Sequence, residues 1–317
     1  MDLEIMNIKA DRGEKIQDLI TFIDSSVKTP ITLINGAKEG SSVLIMGGIH
    51  SAEYVGIQTA IELANEIDPQ EVCGSIIILP VVNTDGFEHR TISMVYEDGK
   101  NLNRVFPGKK DGTLADKMAY TLTSEIYPKI DYIIDLHCGD SYEQLTPYIY
   151  AQGAADEATC KKSLEIAKQA DVPYIVISQS ASGGTYNYAG SIGIPGVLVE
   201  RGHLGVWSDE EVAKNKRDVR RMLASLGFLS MDLPPLPEKK ILEQVVYQNA
   251  ECAGCFYPTK NAGEKFSDGE LLGEIRDYFG NTLKKYYSEF DGVMLYQTAS
   301  LTVLKDGPMI AYAKLDE

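Results

Sequence analysis

The chain predicts an α/β architecture, a mixed and largely parallel sheet with helices on both faces, followed by a small all-β module. Three observations carry this expectation. Short β-branched runs alternate with helical stretches over the first two thirds of the sequence, the pattern of strand–helix–strand units. The proline cluster Leu233-Pro234-Pro235-Leu236-Pro237 then breaks the alternation. Beyond it, glycine turns at Gly263, Gly269, Gly280 and Gly292 separate short strand-like segments, as in a compact β module. The expected domains are therefore a catalytic domain over 1–230 and a β-rich domain over 231–317.

In chain order, the apolar run over 42–46 is a strand, and a helix follows over 54–67 with Val55, Ile57, Ile61 and Leu63 as its apolar positions. A buried strand over 75–82 ends in Asn83-Thr84-Asp85-Gly86, a turn signal. The run over 132–136 is another strand, with His137 at its end. A helix over 155–170 precedes a strand over 174–177; the strand over 196–199 ends at Glu200, and a helix over 209–226 closes this part. His50, Asn83, His137 and Glu200 thus share the carboxyl edge of the sheet, where open α/β sheets bind ligands.

Composition narrows the function. Thirty basic residues against 46 acidic ones give a net charge of −16, which argues against a nucleic-acid or anionic-membrane partner. An anionic small molecule stays open, because a local arginine can outweigh a field that salt screens within about 10 Å. The acidic start of the chain lacks the apolar core of a secretion signal, and no apolar run approaches the ~20 residues of a membrane helix. Five scattered cysteines fit a reducing, cytoplasmic setting. Cys252 and Cys255 have metal or redox spacing, but no second ligand pair follows, so they read as packing cysteines.

The chemistry concentrates in Gly47-Gly48-Ile49-His50-Ser51-Ala52-Glu53. Imidazole and carboxylate three residues apart reach one metal ion if the backbone bends or starts a helix there. His137 supplies a third ligand, and a catalytic zinc takes three protein ligands while keeping its fourth position open. Asp135, two residues before His137, is placed to orient that imidazole. Glu200 is positioned as a base for water, its bland alternative being a pairing with Arg201. Asn103 and Arg104 offer an amide and a guanidinium for a substrate carboxylate.

The motifs GGIHSAEYVG, NTDGFEHR, DGKNLNRVFPG, IIDLHCGD and GIPGVLVERG resemble the succinylglutamate desuccinylase/aspartoacylase family of the zinc carboxypeptidase superfamily, in register over residues ~40–205. The resemblance implies a zinc-carboxypeptidase-like sheet and one Zn2+ per chain. It further implies hydrolysis of the amide bond of a small N-acylated amino acid. By motif position, His50, Glu53 and His137 match the zinc ligands, Glu200 the general base, and Asn103 with Arg104 the substrate-carboxylate pair. Arg90 is the arginine that falls where the family polarises the scissile carbonyl, although its spacing to Arg104 is longer. Where many relatives have glycines after the glutamate, this chain has Arg201-Gly202-His203; Arg201 is a candidate substrate contact or a packing residue. Tyr186, with Tyr188 as its rival, is a candidate for a tyrosine covering the pocket. The β-rich module resembles a biotinyl/lipoyl-like sandwich without the modifiable lysine, and reads as a pocket lid or as an oligomer contact. Two rival functions remain, a zinc carboxypeptidase acting on peptides and a binding protein that has lost turnover.

Overall fold

The computed structural model describes residues 3–315; residues 1–2 and 316–317, the outer ends of the two expected domains, lie outside the described residues. Nine strands form the main sheet. Their order across it is Lys240–Leu242, Tyr174–Ser178, Tyr148–Gln152, Gly196–Glu200, Tyr132–His137, Lys38–Gly47, Cys73–Leu79, Lys28–Asn35 and Glu14–Thr21. The four strands Gly196–Glu200, Tyr132–His137, Lys38–Gly47 and Cys73–Leu79 run parallel to their neighbours within this group, and their carboxyl ends make one edge. Tyr148–Gln152 joins Gly196–Glu200 antiparallel, and the two N-terminal strands close the other side antiparallel. The mixed, largely parallel sheet is therefore present, with an N-terminal hairpin that the sequence pattern did not announce.

Strand alternation builds two cores. Leu44, Met46, Ile77 and Leu79 pack on one face with Leu114, Met118 and Ala119 of the helix Leu114–Thr121. Val43, Ile45, Ile76 and Ile78 pack on the other with the helices Tyr54–Glu66, Glu157–Ala167 and Asp209–Ser225. Each face is covered because successive side chains on a strand point oppositely. Two glycines permit the close fit at the active edge. Gly48 holds φ at +66° just after its strand, and a Cβ on Gly56 would sit 2.5 Å from the Leu136 carbonyl oxygen.

The expected strand over 75–82 stops at Leu79, where Pro80 offers no N–H for the ladder. The expected strand over 196–199 runs one residue further, so that Glu200 is its last member.

Past the proline cluster, two antiparallel sheets enclose Phe256, Leu272, Ile275, Met294, Ile310 and Tyr312. This part is not separate from the rest. Lys240–Leu242 pairs in parallel with Tyr174–Ser178 of the main sheet. Reciprocally, Glu143–Leu145, from the first part of the chain, pairs with Gly292–Thr298. Leu145, Tyr148 and Val176 are buried with Leu242, Val293, Leu295 and Ala311 at this seam. Among the described residues, no helix is long and apolar enough to cross a membrane.

Candidate functional site

His50 follows the strand Lys38–Gly47 through the Gly48 turn, and Glu53 is the last residue before the helix Tyr54–Glu66. Glu53 does not cap that helix with its side chain; its carboxylate turns toward the histidines instead. Oε1 lies 2.6 Å from His50 Nδ1 and Oε2 lies 2.8 Å from His137 Nδ1. The two imidazoles stand edge to face, with centroids 4.9 Å apart. Ligand atoms of His50, Glu53 and His137 all lie within 4.8 Å of one another.

Each imidazole is held from behind. Asn101 Oδ1 meets His50 Nε2 at 3.1 Å, and Asp135 Oδ2 meets His137 Nε2 at 3.2 Å. Asp135 and His137 share a face because they are two residues apart on one strand. Acceptors behind both Nε2 atoms keep the ring proton there and turn the two Nδ1 lone pairs inward. Two imidazole nitrogens and a carboxylate then converge on one point, and on release of the protons they share they become the donor set of a cation. The residues fit one metal ion.

In the metal-free chain the imidazoles and the carboxylate stabilise one another's charge. Burial opposes ionisation of Glu53, yet the two imidazoles beside it hold its carboxyl down at about 2. Burial likewise opposes charge on His137, and the Glu53 and Asp135 carboxylates raise its pKa well above the ordinary value. Glu200 stands beside His137 in register on the adjacent parallel strand. Burial, then the Glu53 charge, pushes the Glu200 carboxyl well above the carboxylate range.

These groups line a cavity of about 900 Å³. Asn101 to Arg104 form its next wall. Asn101 Oδ1 also accepts from Asn103 N at 2.8 Å, and Asn103 is buried with its Oδ1 accepting from Thr185 N at 3.0 Å. Arg104 Nη1 donates to the Asn103 carbonyl at 2.8 Å, and Arg104 is the one Lys or Arg among the described lining residues. The same lining holds the carboxylates of Glu53, Asp140, Glu143, Glu200 and Glu243. Burial, then the Asp140 charge, pushes Glu143 up to about 8. The segment after residue 231 supplies another side, with Glu243, Tyr247, Tyr296 and Thr298. A run of phenols crosses the cavity, Tyr148 to Tyr150 at 3.3 Å and Tyr150 to Tyr247 at 3.0 Å.

Two expectations need correction, and a third residue of the sheet edge, Asn83, proves to be structural. Arg90 is exposed, ends the helix Thr84–His89 in a left-handed conformation, and does not line the cavity. Arg201 is buried and turned away from the cavity, as its place next to Glu200 on an alternating strand end requires. Its Nη2 lies 2.6 Å from Asp218 Oδ2 and donates to the Asp171 carbonyl at 2.7 Å, so it packs rather than binds substrate, and Glu200 has no pairing with it. Asn83 caps the helix Thr84–His89 by accepting from Gly86 N, and lies outside the lining. Of the two tyrosines, Tyr186 lines the cavity while Tyr188 packs toward Tyr127. The sequence reading missed Asn101 as a support for His50, although it lay inside the quoted Asn-Leu-Asn-Arg run. It also missed Asp140, which closes the quoted IIDLHCGD motif, and Glu143, which lies outside every motif.

Fold and site together define a mixed α/β protein whose sheet edge carries three residues able to hold one metal ion. The chain belongs to the succinylglutamate desuccinylase/aspartoacylase family of deacylases, whose catalytic-domain model matches residues 39–226. It is 28% identical over 282 residues to the N-alpha-acetyl-L-2,4-diaminobutyric acid deacetylase of Halomonas elongata, a match covering 85% of this chain and 80% of that protein. It is similar to the product-bound ectoine utilization protein EutE (DoeB) of Ruegeria pomeroyi, with a TM-score of 0.86 and 25% identity over 97% of this chain and 98% of that one. A succinylglutamate desuccinylase/aspartoacylase of Rhodobacter sphaeroides gives the same TM-score and identity, covering 98% of each chain.

Proposed function

We propose that the protein is a zinc-dependent deacylase that hydrolyses the amide bond of a small N-acyl amino acid. The observation that carries this reading is the inward pair of Nδ1 atoms at His50 and His137 around the Glu53 carboxylate. Those three residues would hold one zinc per chain, which supplies a Lewis acid for the acyl carbonyl and an acidified water. Glu200 takes the proton from water and delivers it to the departing amine; a carboxyl raised by burial is suited to both steps. Arg104 holds the substrate carboxylate. Asn103, its oxygen engaged by Thr185, offers its amide nitrogen to the same carboxylate. Tyr186 shapes the adjoining wall. Neither Arg90 nor Arg201 enters this scheme.

The acidic wall favours a particular amine. Asp140 and Glu243 outnumber the single guanidinium of Arg104, a balance that suits an amino acid with one carboxylate and a second, cationic amino group. The resemblance to a deacetylase of acetyl-diaminobutyric acid points the same way. The chain beyond residue 231 closes one side of the cavity, which suits a small molecule rather than a peptide lying in an open groove. We also propose a catalytic part over 1–230, a β-rich part over 231–317, and a cytoplasmic setting consistent with five free cysteines.

The test measures metal content and then turnover before and after chelation. Substrates are N-acetyl-diaminobutyric acid, N-acetylaspartate, N-succinylglutamate and a short peptide. About one zinc per chain, with chelator-sensitive release of an amino acid and preference for the diamino compound, is expected. Preference for the dicarboxylates would overturn the reading of the acidic wall, and preference for the peptide would overturn the deacylase. Failure to take up zinc would overturn the ligand set.

A further inference from the structure

We infer that Thr185 is a positioning residue that ties the metal-ligating end of the site to its substrate-carboxylate end. The inference rests on the metal-site reading above and concerns a residue that takes no part in it. Thr185 is the first residue of the helix Thr185–Ser191 and is fully buried. Each of its polar atoms has a partner. Its backbone N–H donates to Asn103 Oδ1 at 3.0 Å, its hydroxyl donates to Asp135 Oδ2, and its carbonyl accepts from Tyr127 Oη at 3.3 Å. Asp135 Oδ2 in turn faces His137 Nε2.

The result is a closed circuit. From His50 the path runs to Asn101, whose Oδ1 also accepts from the Asn103 backbone. From Asn103 it passes through Thr185 and Asp135 to His137. Glu53 completes the ring between the two imidazoles. Backbone bonds brace the same junction, with Phe106 N to Gly183 O at 3.1 Å and Gly183 N to Phe106 O at 3.3 Å. The approach is close, since a Cβ on Gly184 would meet Asn187 Oδ1 at 2.5 Å and that side chain would have to shift.

The threonine hydroxyl matters because Asp135 has little else. Its carboxylate is fully buried, and Oδ1 has no hydrogen-bond partner among the described residues. Oδ2 accepts its hydrogen bond from Thr185 and lies 3.2 Å from His137 Nε2 in an ion-pair contact. Without the hydroxyl, Asp135 is free to turn about its side chain, and His137 loses the fixed acceptor that orients its ring.

The experiment compares Thr185→Val, nearly isosteric but without the donor, with Thr185→Ser, which keeps it. Zinc affinity of the metal-free protein is measured by competition with a chromophoric chelator, alongside kcat and KM. Removing a partner behind a metal ligand typically costs about 10- to 100-fold in affinity, so Thr185→Val should lose about tenfold and Thr185→Ser less than about twofold. Should Thr185→Val not fold, Thr185→Ala stands in with the same expected loss. Adding Thr185→Val to Asp135→Asn should weaken zinc no further, since the threonine acts through the aspartate. Unchanged affinity in Thr185→Val, equal losses in the valine and serine variants, or additive losses in the double variant would each overturn the assignment. Wild-type protein that takes up no zinc would instead overturn the metal site itself.

Discussion

The two sides of the cavity are built differently. On one side, His50, Glu53, His137 and Glu200 sit at or just past the ends of parallel strands whose side chains are locked in two apolar cores. On another side, Glu243 comes from the loop after Lys240–Leu242, and Tyr247 and Tyr296 come from antiparallel strands, with Glu243 and Tyr247 largely exposed. Groups that must meet within a few tenths of an ångström are placed on the rigid edge. Groups that choose among substrates tolerate looser placement, because a long-range charge still acts when its carrier moves slightly. The difference teaches that the groups proposed for the reaction all sit on the rigid edge, while the proposed substrate contacts are drawn from both parts of the chain.

The largest effect should come from the rigid side. Glu200→Gln should lower kcat by about a hundred- to ten-thousand-fold for every accepted substrate, as expected for a lost general base, while zinc content stays at the wild-type level. Undiminished turnover would break the comparison outright. Arg104→Ala should raise KM by about 10- to 150-fold, the worth of a charged hydrogen bond of about 1.5–3 kcal/mol, with a smaller change in kcat. Equal loss in both would place Arg104 among the reacting groups.

The other side predicts smaller, selective changes. Glu243→Gln should reduce kcat/KM for a diamino-acid substrate by about two- to fivefold, the worth of an exposed charge pair, and leave neutral analogues unaffected. A uniform loss across substrates would erase the proposed difference.

Glu143 lies at the seam and predicts a pH effect on stability. In the folded, metal-free chain it titrates at about 8, against 4.5 as the ordinary value. Between those pH values the folded state binds a proton that the unfolded state has released, so stability falls as pH rises through that window. Thermal melts of the metal-free protein should show a drop between pH 5.5 and 8. Glu143→Gln should reduce that drop by about 2–4 °C. A melting temperature that rises over the same interval would contradict the burial-driven shift.

Much of the rigid side was legible in the sequence, and the reasons are local. The Gly-Gly turn and His-x-x-Glu spacing fix two ligands on one short bend, and a β-branched run ending in Asp-Leu-His fixes the third at a strand end. Strand alternation places Asp135 behind His137 without further information. The N-terminal hairpin escaped because Lys28–Asn35 contains Pro30 and polar threonines, and its burial depends on the neighbour it pairs with. The helix Leu114–Thr121 escaped too, though its capping box at Thr113 and Asp116 is a local signal.

By itself, then, the sequence determined the α/β class, the turn to short β segments after the prolines, and the residues able to bind a metal, since these depend on periodicity and spacing. Which way a given side chain faces was decided only in the tertiary structure. Arg201 and Glu200 are adjacent in sequence, yet one reaches Asp218 in a buried ion pair and the other faces the cavity. Arg90 had the right residue type in the right interval and ends at the surface. The acidic wall is assembled from positions a hundred residues apart, Asp140 and Glu143 from one part of the chain and Glu243 from the other. The pairing of Lys240–Leu242 with Tyr174–Ser178 and of Glu143–Leu145 with Gly292–Thr298 joins the two parts around a common space, contacts whose register no local pattern encodes.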